Sequence, residues 1–503
     1  MKKGKVWLVG AGPGDQGLLT IKGKEVLQNA DVVMYDSLVG PGILAMIPDS
    51  ARAIDAGKQS GHHTMPQWQM NGLLLEEAQK GNRVVRLKGG DPFLFGRGGE
   101  EIRLLADNGI PFEIVPGITS PIAVPAYNGI PVTHRDFASS LHIITGHKKA
   151  GDEYDIDFHA LVNTKGTLVF LMGIASLDAI CRGLLDAGMD PDMPAAVLQK
   201  GTTARQKRII ATVSTLADEV RKQGVETPAI IVVGKVCTLA DTFEWYEKLP
   251  LAGYRVLVTR PRNRASEMSA RLRAEGAEVL EIPAIATVPI ENNLKLIHAI
   301  QNLRYYQWIV FTSPSGVKIF MDQMRTSEID IRHLAGLKIA SIGKGTAGEL
   351  EKYGLIPDLI PPRYDGETLG EWIAHRAEPD DRILLPRAEI GSGSILEKLK
   401  DFTVDDIPTY HTKYLRSEAV NETAMFEKGE IDCAVFTSSS GVKAFLETNP
   451  DLDCRLVNAA CIGRQTQAVA DAAGMKTFCA EQATIDSLLE LIIRMHSQNI
   501  TGK

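Results

Sequence analysis

Two glycine-dense segments hold the residues of the first half best suited to chemistry. The first is Gly10-Ala11-Gly12-Pro13-Gly14-Asp15, entered from the apolar run 6–9. Gly12, Gly14 and Gly17 formally match a dinucleotide-binding pattern, with Asp31 or Asp36 near the expected acidic position. Pro13 argues against an NAD-dependent oxidoreductase, because a phosphate-cradling turn needs backbone N–H groups and proline has none. Asp15 also brings negative charge to where a pyrophosphate would lie. The loop suits close backbone approach to a ligand without phosphates. The second segment is Lys88-Gly89-Gly90-Asp91-Pro92-Phe93-Leu94-Phe95-Gly96-Arg97-Gly98-Gly99-Glu100-Glu101. Its five glycines follow the strand-like run 83–87, at the kind of strand end where α/β sheets bind ligands. Asp91 there can accept from a ribose or an ammonium group, or simply cap the next helix.

The second half carries paired loops. Thr312-Ser313-Pro314-Ser315-Gly316 resembles Thr437-Ser438-Ser439-Ser440-Gly441, and each follows an apolar run and opens a helix. Helix starts of this kind offer free N–H groups and a positive dipole end. Arg260, Lys344, Arg387 and Arg464 fall on equivalent strand-end loops. Three matched pieces recur in order: Leu257–Arg260 with Leu384–Arg387, the Thr-Ser loops, and residues 340–346 with 460–466. Two lobes facing a cleft are expected, suited to a substrate with many carboxylates. Each loop taken alone also reads as an ordinary capped helix.

These residues carry two resemblances. The first loop, the string Val85 through Glu101, Val115-Pro116-Gly117-Ile118-Thr119-Ser120, the stretch 129–135, Thr145-Gly146-His147 and Phe170-Leu171-Met172-Gly173 resemble the tetrapyrrole methyltransferases. Residues 96–101 point to the uroporphyrinogen III branch, and the likeness spans residue 5 to about 245. It implies an S-adenosylmethionine site at Pro13, Gly89, Gly90, Asp91, Leu94, Thr119, Ser120, Met172 and Gly201. Leu94 stands where isoleucine or valine is commoner, and Ser120 where alanine is. The implied base and acid are Asp36 and Lys58. A carboxylate can take the proton lost when a ring carbon is methylated; Asp36 otherwise reads as a helix N-cap. Lys58 can donate a proton, pair with a substrate carboxylate, or be a solvated loop lysine. His134, Arg135 and His147 are candidate holders of substrate carboxylates. His62 and His63 lack the companions of a metal site, so no metal is expected.

The second half, with Ile407-Pro408-Thr409-Tyr410-His411-Thr412, resembles uroporphyrinogen III synthase over about residues 252–495. That likeness implies lobe A from about 252–286 plus 413–503 and lobe B from about 287–412. It places the tyrosine linked to catalysis at Tyr410, which either helps hydroxide leave or packs the joint between lobes. The implied activities are two methyl transfers to uroporphyrinogen III giving precorrin-2, and closure of hydroxymethylbilane to uroporphyrinogen III with one pyrrole inverted. The alternative is a methyltransferase with a non-catalytic, carboxylate-binding second half.

The elements behind these motifs are those of α/β architecture. Apolar runs at 6–9, 31–35, 83–87, 141–145, 167–172 and 229–233 read as buried strands between helical stretches. A boundary falls near residue 250, where Trp245, Tyr246, Pro250 and Gly253 precede the strand-like run 254–259. The expected division is a methyltransferase at 1–247, in lobes 1–115 and 116–247, then a synthase at 252–503 with parallel sheets in each lobe. The 503 residues exceed one ordinary core. With 44% hydrophobic and 23% charged residues the composition is globular, and a net charge of −7 speaks against nucleic-acid binding by bulk charge. Six cysteines include no C-x-x-C pair. No apolar run approaches a membrane span, so a cytoplasmic protein acting on small tetrapyrroles is expected, with a homodimer through the methyltransferase half.

Overall fold

The computed structural model describes residues 3–57, 66–146, 156–259, 267–282, 285–391, 393–414 and 417–501. Among the described residues there are four five-stranded sheets, the fourth inserted in sequence within the third. The first contains β1 (Lys5–Gly10), β2 (Val32–Tyr35), β3 (Arg52–Asp55), β4 (Arg83–Lys88) and β5 (Phe112–Val115), in the order β3-β2-β4-β1-β5. All its pairings are parallel. Helices on both faces leave β2 wholly buried and β1 and β4 nearly so, which is why these runs read as continuous apolar stretches.

The second sheet contains β6 (Leu141–Thr145), β7 (Thr167–Leu171), β8 (Pro194–Gln199), β9 (Lys207–Thr212) and β10 (Ala229–Val233), ordered β6-β7-β10-β8-β9. It is mixed: β6 and β7 are parallel, whereas β10 runs antiparallel to both β7 and β8.

The third sheet starts with β11 (Arg255–Thr259) and β12 (Glu278–Ile282). The chain then forms β13 (Ile285–Pro289), β14 (Trp308–Phe311), β15 (Lys338–Ser341), β16 (Arg382–Ala388) and β17 (Thr403–Tyr414), the fourth sheet. It returns to complete the third with β18 (Cys433–Phe436), β19 (Asn458–Cys461) and β20 (Lys476–Cys479). Residues 284–415 form one compact unit, and residues 1–283 with 416–503 form another. The third sheet is all parallel. The fourth is parallel except for its edge strand β13, which pairs antiparallel with β17.

The repeat read from the loops is a repeat of topology. The order β17-β16-β14-β15 reproduces β12-β11-β18-β19, although β14 and β15 precede β16 and β17 in sequence whereas β18 and β19 follow β11 and β12. Two copies of one arrangement have been threaded differently by the chain.

Candidate active sites

In an open parallel sheet, ligands bind where the connections leaving two neighbouring strands diverge. In the first sheet that point lies between β1 and β4. The chain leaves β1 for β2 on one side, and leaves β4 for β5 on the other. The two glycine-dense loops are the segments leaving these two strands. They are stitched together: Gly12 N donates to Gly90 O at 3.2 Å, Gly90 N to Gly12 O at 2.8 Å, and Ala11 N to Lys88 O at 2.7 Å. A Cβ on Gly117 would sit 2.2 Å from Gly90 O and 2.6 Å from Gly10 Cα, so three glycine backbones pack where no side chain fits. The amides that a dinucleotide phosphate would need at Ala11, Gly12 and Gly90 are already hydrogen-bonded to carbonyls. The glycines serve backbone packing, and this adds to the objection raised by Pro13.

Asp91 organises the loop. One carboxylate oxygen accepts from Phe93 N at 2.8 Å and Leu94 N at 3.1 Å, and the other from Gly117 N at 3.0 Å. Asp91 thereby fastens Gly117 to the loop, a role that neither the helix-cap nor the ligand reading anticipated. Asp36, just beyond β2, accepts from Leu38 N at 3.1 Å and Gly89 N at 3.4 Å, which brings its carboxylate to the same loop. Pro13, Leu94, Thr119 and Ser120 are half-buried. Thr119 and Ser120 form the start of the helix Ser120–Tyr127. Lys58 and His147 lie outside the described residues.

Beneath Asp36 is a buried charge cluster that sequence reasoning missed. Glu101 Oε1 accepts from Lys88 Nζ at 2.8 Å, Arg86 Nε at 3.3 Å and Gln67 Nε2 at 3.1 Å. Arg86, Lys88 and Glu101 are all buried, and Arg86 Nη2 lies 3.7 Å from Asp36 Oδ2. Burial, with Arg86 alongside, holds the Lys88 pKa below the ordinary lysine range despite the pull of Glu101. The motif contained Lys88 and Glu101, but only the parallel packing of β4 shows that they face inward.

An open cleft of about 670 Å³ is lined by Phe93, Phe95, Arg97, Gly98, Gly99 and Met172. Phe93, Phe95 and Met172 are exposed and give the cleft an apolar surface. Phe95, Arg97 and Met172 have φ near +55°, as do Lys200 at 46° and Thr202 at 66°. Left-handed backbone on non-glycine residues is strained, and such strain gathers at binding sites. Gly201, between two of them, packs so that a Cβ would strike Val124 Cγ1 at 2.3 Å. Thr202 Oγ1 accepts from Asp15 N at 3.2 Å, and Tyr127 OH donates to Asp15 at 2.7 Å. His134 is held by its own turn, with Nδ1 accepting from Asp136 N at 3.2 Å, and Arg135 is exposed.

In the second half, both lobes place the Thr-Ser loops at the same kind of divergence point, after β14 beside β16 and after β18 beside β11. Ser313 and Ser438 cap their helices with matching backbones, φ/ψ −159°/152° and −164°/154°. Ser313 Oγ accepts from Gly316 N and Ser438 Oγ from Gly441 N, at 3.0 and 3.2 Å. Thr312 and Thr437 precede them, half-buried. Lys344 and Arg464 occupy the first turns of the helices Lys344–Glu351 and Arg464–Ala472, both exposed. Arg387 differs: it is buried and forms a fork with both Asp406 oxygens at 2.7 Å each. Tyr410 is buried, with its hydroxyl 2.8 Å from Ser313 Oγ. Arg260 lies outside the described residues.

Residues 5–217 match the family model described as tetrapyrrole (corrin/porphyrin) methylases, and residues 266–490 match that of uroporphyrinogen-III synthase HemD. The chain is 45% identical over 502 residues to the porphyrin biosynthesis protein HemD of Ruminiclostridium josui, spanning 99% of this chain and all of that one. The chain is a fusion of a tetrapyrrole methylase with a uroporphyrinogen-III synthase. The uroporphyrinogen-III C-methyltransferase of Bacillus subtilis is 41% identical over 363 residues, 72% of this chain and 74% of that one. The uroporphyrin-III C-methyl transferase of Thermus thermophilus, solved with S-adenyl homocysteine, is 38% identical and covers 47% of this chain and 99% of that chain, with a TM-score of 0.41. With four β-sheets flanked by helices, the methylase–synthase fusion is α/β in both halves. Among the described residues, no group of three or more His, Cys, Asp and Glu residues is placed to hold a metal, and no helix is long and apolar enough to cross a membrane.

Proposed function

We propose that the first half of the fusion, residues 1–247, transfers two methyl groups from S-adenosylmethionine to uroporphyrinogen III, giving precorrin-2. The observation that carries this reading is the stitching of Gly10, Gly12, Gly90 and Gly117. It makes a closely packed backbone shelf without the free amides a phosphate needs. Such a shelf fits a sulfonium cofactor, which supplies an electrophilic methyl group. Pro13, Gly89, Gly90, Asp91, Leu94, Thr119, Ser120, Met172 and Gly201 would hold it. Asp36, reached by the Gly89 amide, accepts the proton lost from the substrate. Lys58, His134 and Arg135 meet the substrate's carboxylates, and the exposed rings of Phe93 and Phe95 support its face.

In the second half, residues 252–503 convert hydroxymethylbilane to uroporphyrinogen III, the substrate of the first. The Thr-Ser loops of both lobes, with Arg260, Lys344 and Arg464, grip carboxylates, and Arg387 with Asp406 braces one of them. Tyr410 assists departure of the hydroxide. The protein acts in the cytoplasm as a homodimer joined through the methylase half.

The test supplies freshly made hydroxymethylbilane and S-adenosylmethionine to the full chain. Uroporphyrinogen III without isomer I, followed by its dimethylated product, is expected. Asp36→Asn should stop the second stage while still binding S-adenosylhomocysteine. Isomer I at the uncatalysed rate would leave the second half as a carboxylate-binding domain only. Light scattering of the full chain checks the dimer.

A further inference from the structure

The loop joining β8 to β9, residues 200–206, touches both halves of the fusion. On one side it meets the cofactor shelf. Thr202 Oγ1 accepts from Asp15 N at 3.2 Å, and a Cβ on Gly14 would lie 2.7 Å from Thr203 Cγ2. On the other side it meets the sheet of β11, β12 and β18. Arg205 Nη2 donates to both Asp432 oxygens at 3.1 Å and to the carbonyls of Gly429 and Glu430 at 3.1 and 3.2 Å. Its Nη1 donates to Gly253 O at 3.1 Å. Ala204 N donates to Glu278 Oε2 at 2.8 Å, and Glu278 is held by Arg255 Nη2 at 3.0 Å.

Between these faces the loop is braced by its own bonds. Thr203 Oγ1 donates to Lys200 O at 2.7 Å and accepts from Arg205 N at 3.1 Å, and Gln206 Oε1 accepts from Thr202 N at 2.8 Å. A short, internally bonded loop with left-handed backbone at Lys200 and Thr202 has little slack. Displacement at Arg205 therefore reaches Thr202 and Gly14. Asp432 is itself fixed, since Oδ2 accepts from Arg255 N at 2.7 Å at the first residue of β11.

We propose that Arg205 and Asp432 are positioning residues for methyl transfer: the synthase half, through them, holds the 200–206 loop in the shape that binds the methyl donor. This rests on the assignment of Gly201 to the cofactor site. By linkage, donor binding and docking of the loop on the synthase half then favour each other.

The full chain with Arg205→Ala should bind S-adenosylhomocysteine about five-fold or more weakly and show a matching rise in KM for S-adenosylmethionine, with kcat changed less than about two-fold. Asp432→Asn should do the same, and the double variant should be no worse than Arg205→Ala alone, because both remove one contact. A purely structural role would instead lower kcat and the active fraction together, leaving KM alone. Should Arg205→Ala fail to fold, Arg205→Gln keeps a donor for the Gly429 and Glu430 carbonyls and reads the same coupling. Unchanged binding in a folded variant overturns the proposal. Hydrogen exchange of the peptide containing residues 200–206 separates this from failure of its premise. Protection by S-adenosylhomocysteine in the wild type places the loop at the cofactor; no protection removes the premise, and protection with unaltered binding in Arg205→Ala removes only the inference.

Discussion

Tyr410 and Ser313 share a hydrogen bond of 2.8 Å between their hydroxyl oxygens, joining β17 to the cap of the helix that follows β14. Ser313 already accepts from Gly316 N, so it can offer its proton to Tyr410 or take the tyrosine's. Either way the phenol is aimed at the Thr-Ser loop that should meet substrate. Tyr410→Phe is expected to lower uroporphyrinogen III formation by about ten-fold or more if the phenol assists hydroxide loss, while Ser313→Ala weakens the helix cap by about 1 kcal/mol and leaves the phenol present. Rates with fresh hydroxymethylbilane decide it. Full activity in folded Tyr410→Phe would reduce the tyrosine to packing.

Burial pushes the Tyr410 pKa up, with Ser313 opposing only in part. The folded value therefore exceeds the unfolded one, near 10. Its stabilising contribution is complete below about pH 10 and is lost as pH rises through the folded value. Urea midpoints measured for the wild type and Tyr410→Phe should run parallel from pH 7 to 9. Above about pH 10 the wild type should fall more steeply. Buried Tyr254 and Tyr246 shift in the same direction and keep some alkaline slope in the variant. Identical slopes would mean that Tyr410 does not ionise with unfolding.

What could be read from sequence follows burial on both faces. The strands β1, β2, β4, β7, β10 and β11 stand out because their apolar residues are continuous or nearly so; β6 also reads as a buried strand, yet it is an edge strand and only half-buried along its length. Others hide. β8 opens with Pro194 and two alanines, and β9, an edge strand, opens with Lys207 and Arg208 and has only Ile209 buried. β3, also an edge strand, carries Arg52 and Asp55 at its ends. The glycine loops were legible as places of close backbone approach, yet their stitching was not, since it depends on β1 and β4 being neighbours. Arg387 was legible as a strand-end cation. Its fork with Asp406 was hidden because β16 and β17 meet only through parallel pairing. Nothing local in Arg205 announces a partner 227 residues away.

Glu101 is the anion that makes Arg86 and Lys88 tolerable in the interior. Glu101→Gln leaves two buried cations short of a partner, at a cost of about 3–5 kcal/mol. The deficit should depend on pH in a defined sense. The Lys88 pKa is already lowered in the folded state and Glu101 raises it, so removing the carboxylate lowers it further. The unfolded chain then binds more protons, and stability rises with pH. Urea midpoints of Glu101→Gln should thus approach those of the wild type between about pH 7 and pH 10. A deficit that stays constant across that range would mean that Lys88 stays charged in the folded variant, as in the wild type.

The last prediction sets two glycines against each other. Gly117→Ala puts a methyl group 2.2 Å from Gly90 O and within 2.8 Å of Gly10 Cα and C. All three are backbone atoms, so the shelf must open rather than a side chain turn. Gly348, inside the helix Lys344–Glu351, has nothing within 4 Å of where a Cβ would stand and needs no special backbone angle. Gly348→Ala should therefore stabilise by about 0.4–1 kcal/mol through helix propensity and a less disordered unfolded chain. Gly117→Ala should destabilise by about 1–3 kcal/mol and weaken S-adenosylhomocysteine binding. Calorimetric binding and urea unfolding of both variants test the contrast. Wild-type binding by Gly117→Ala would mean that the contact between β1, β4 and β5 is not what shapes the cofactor shelf.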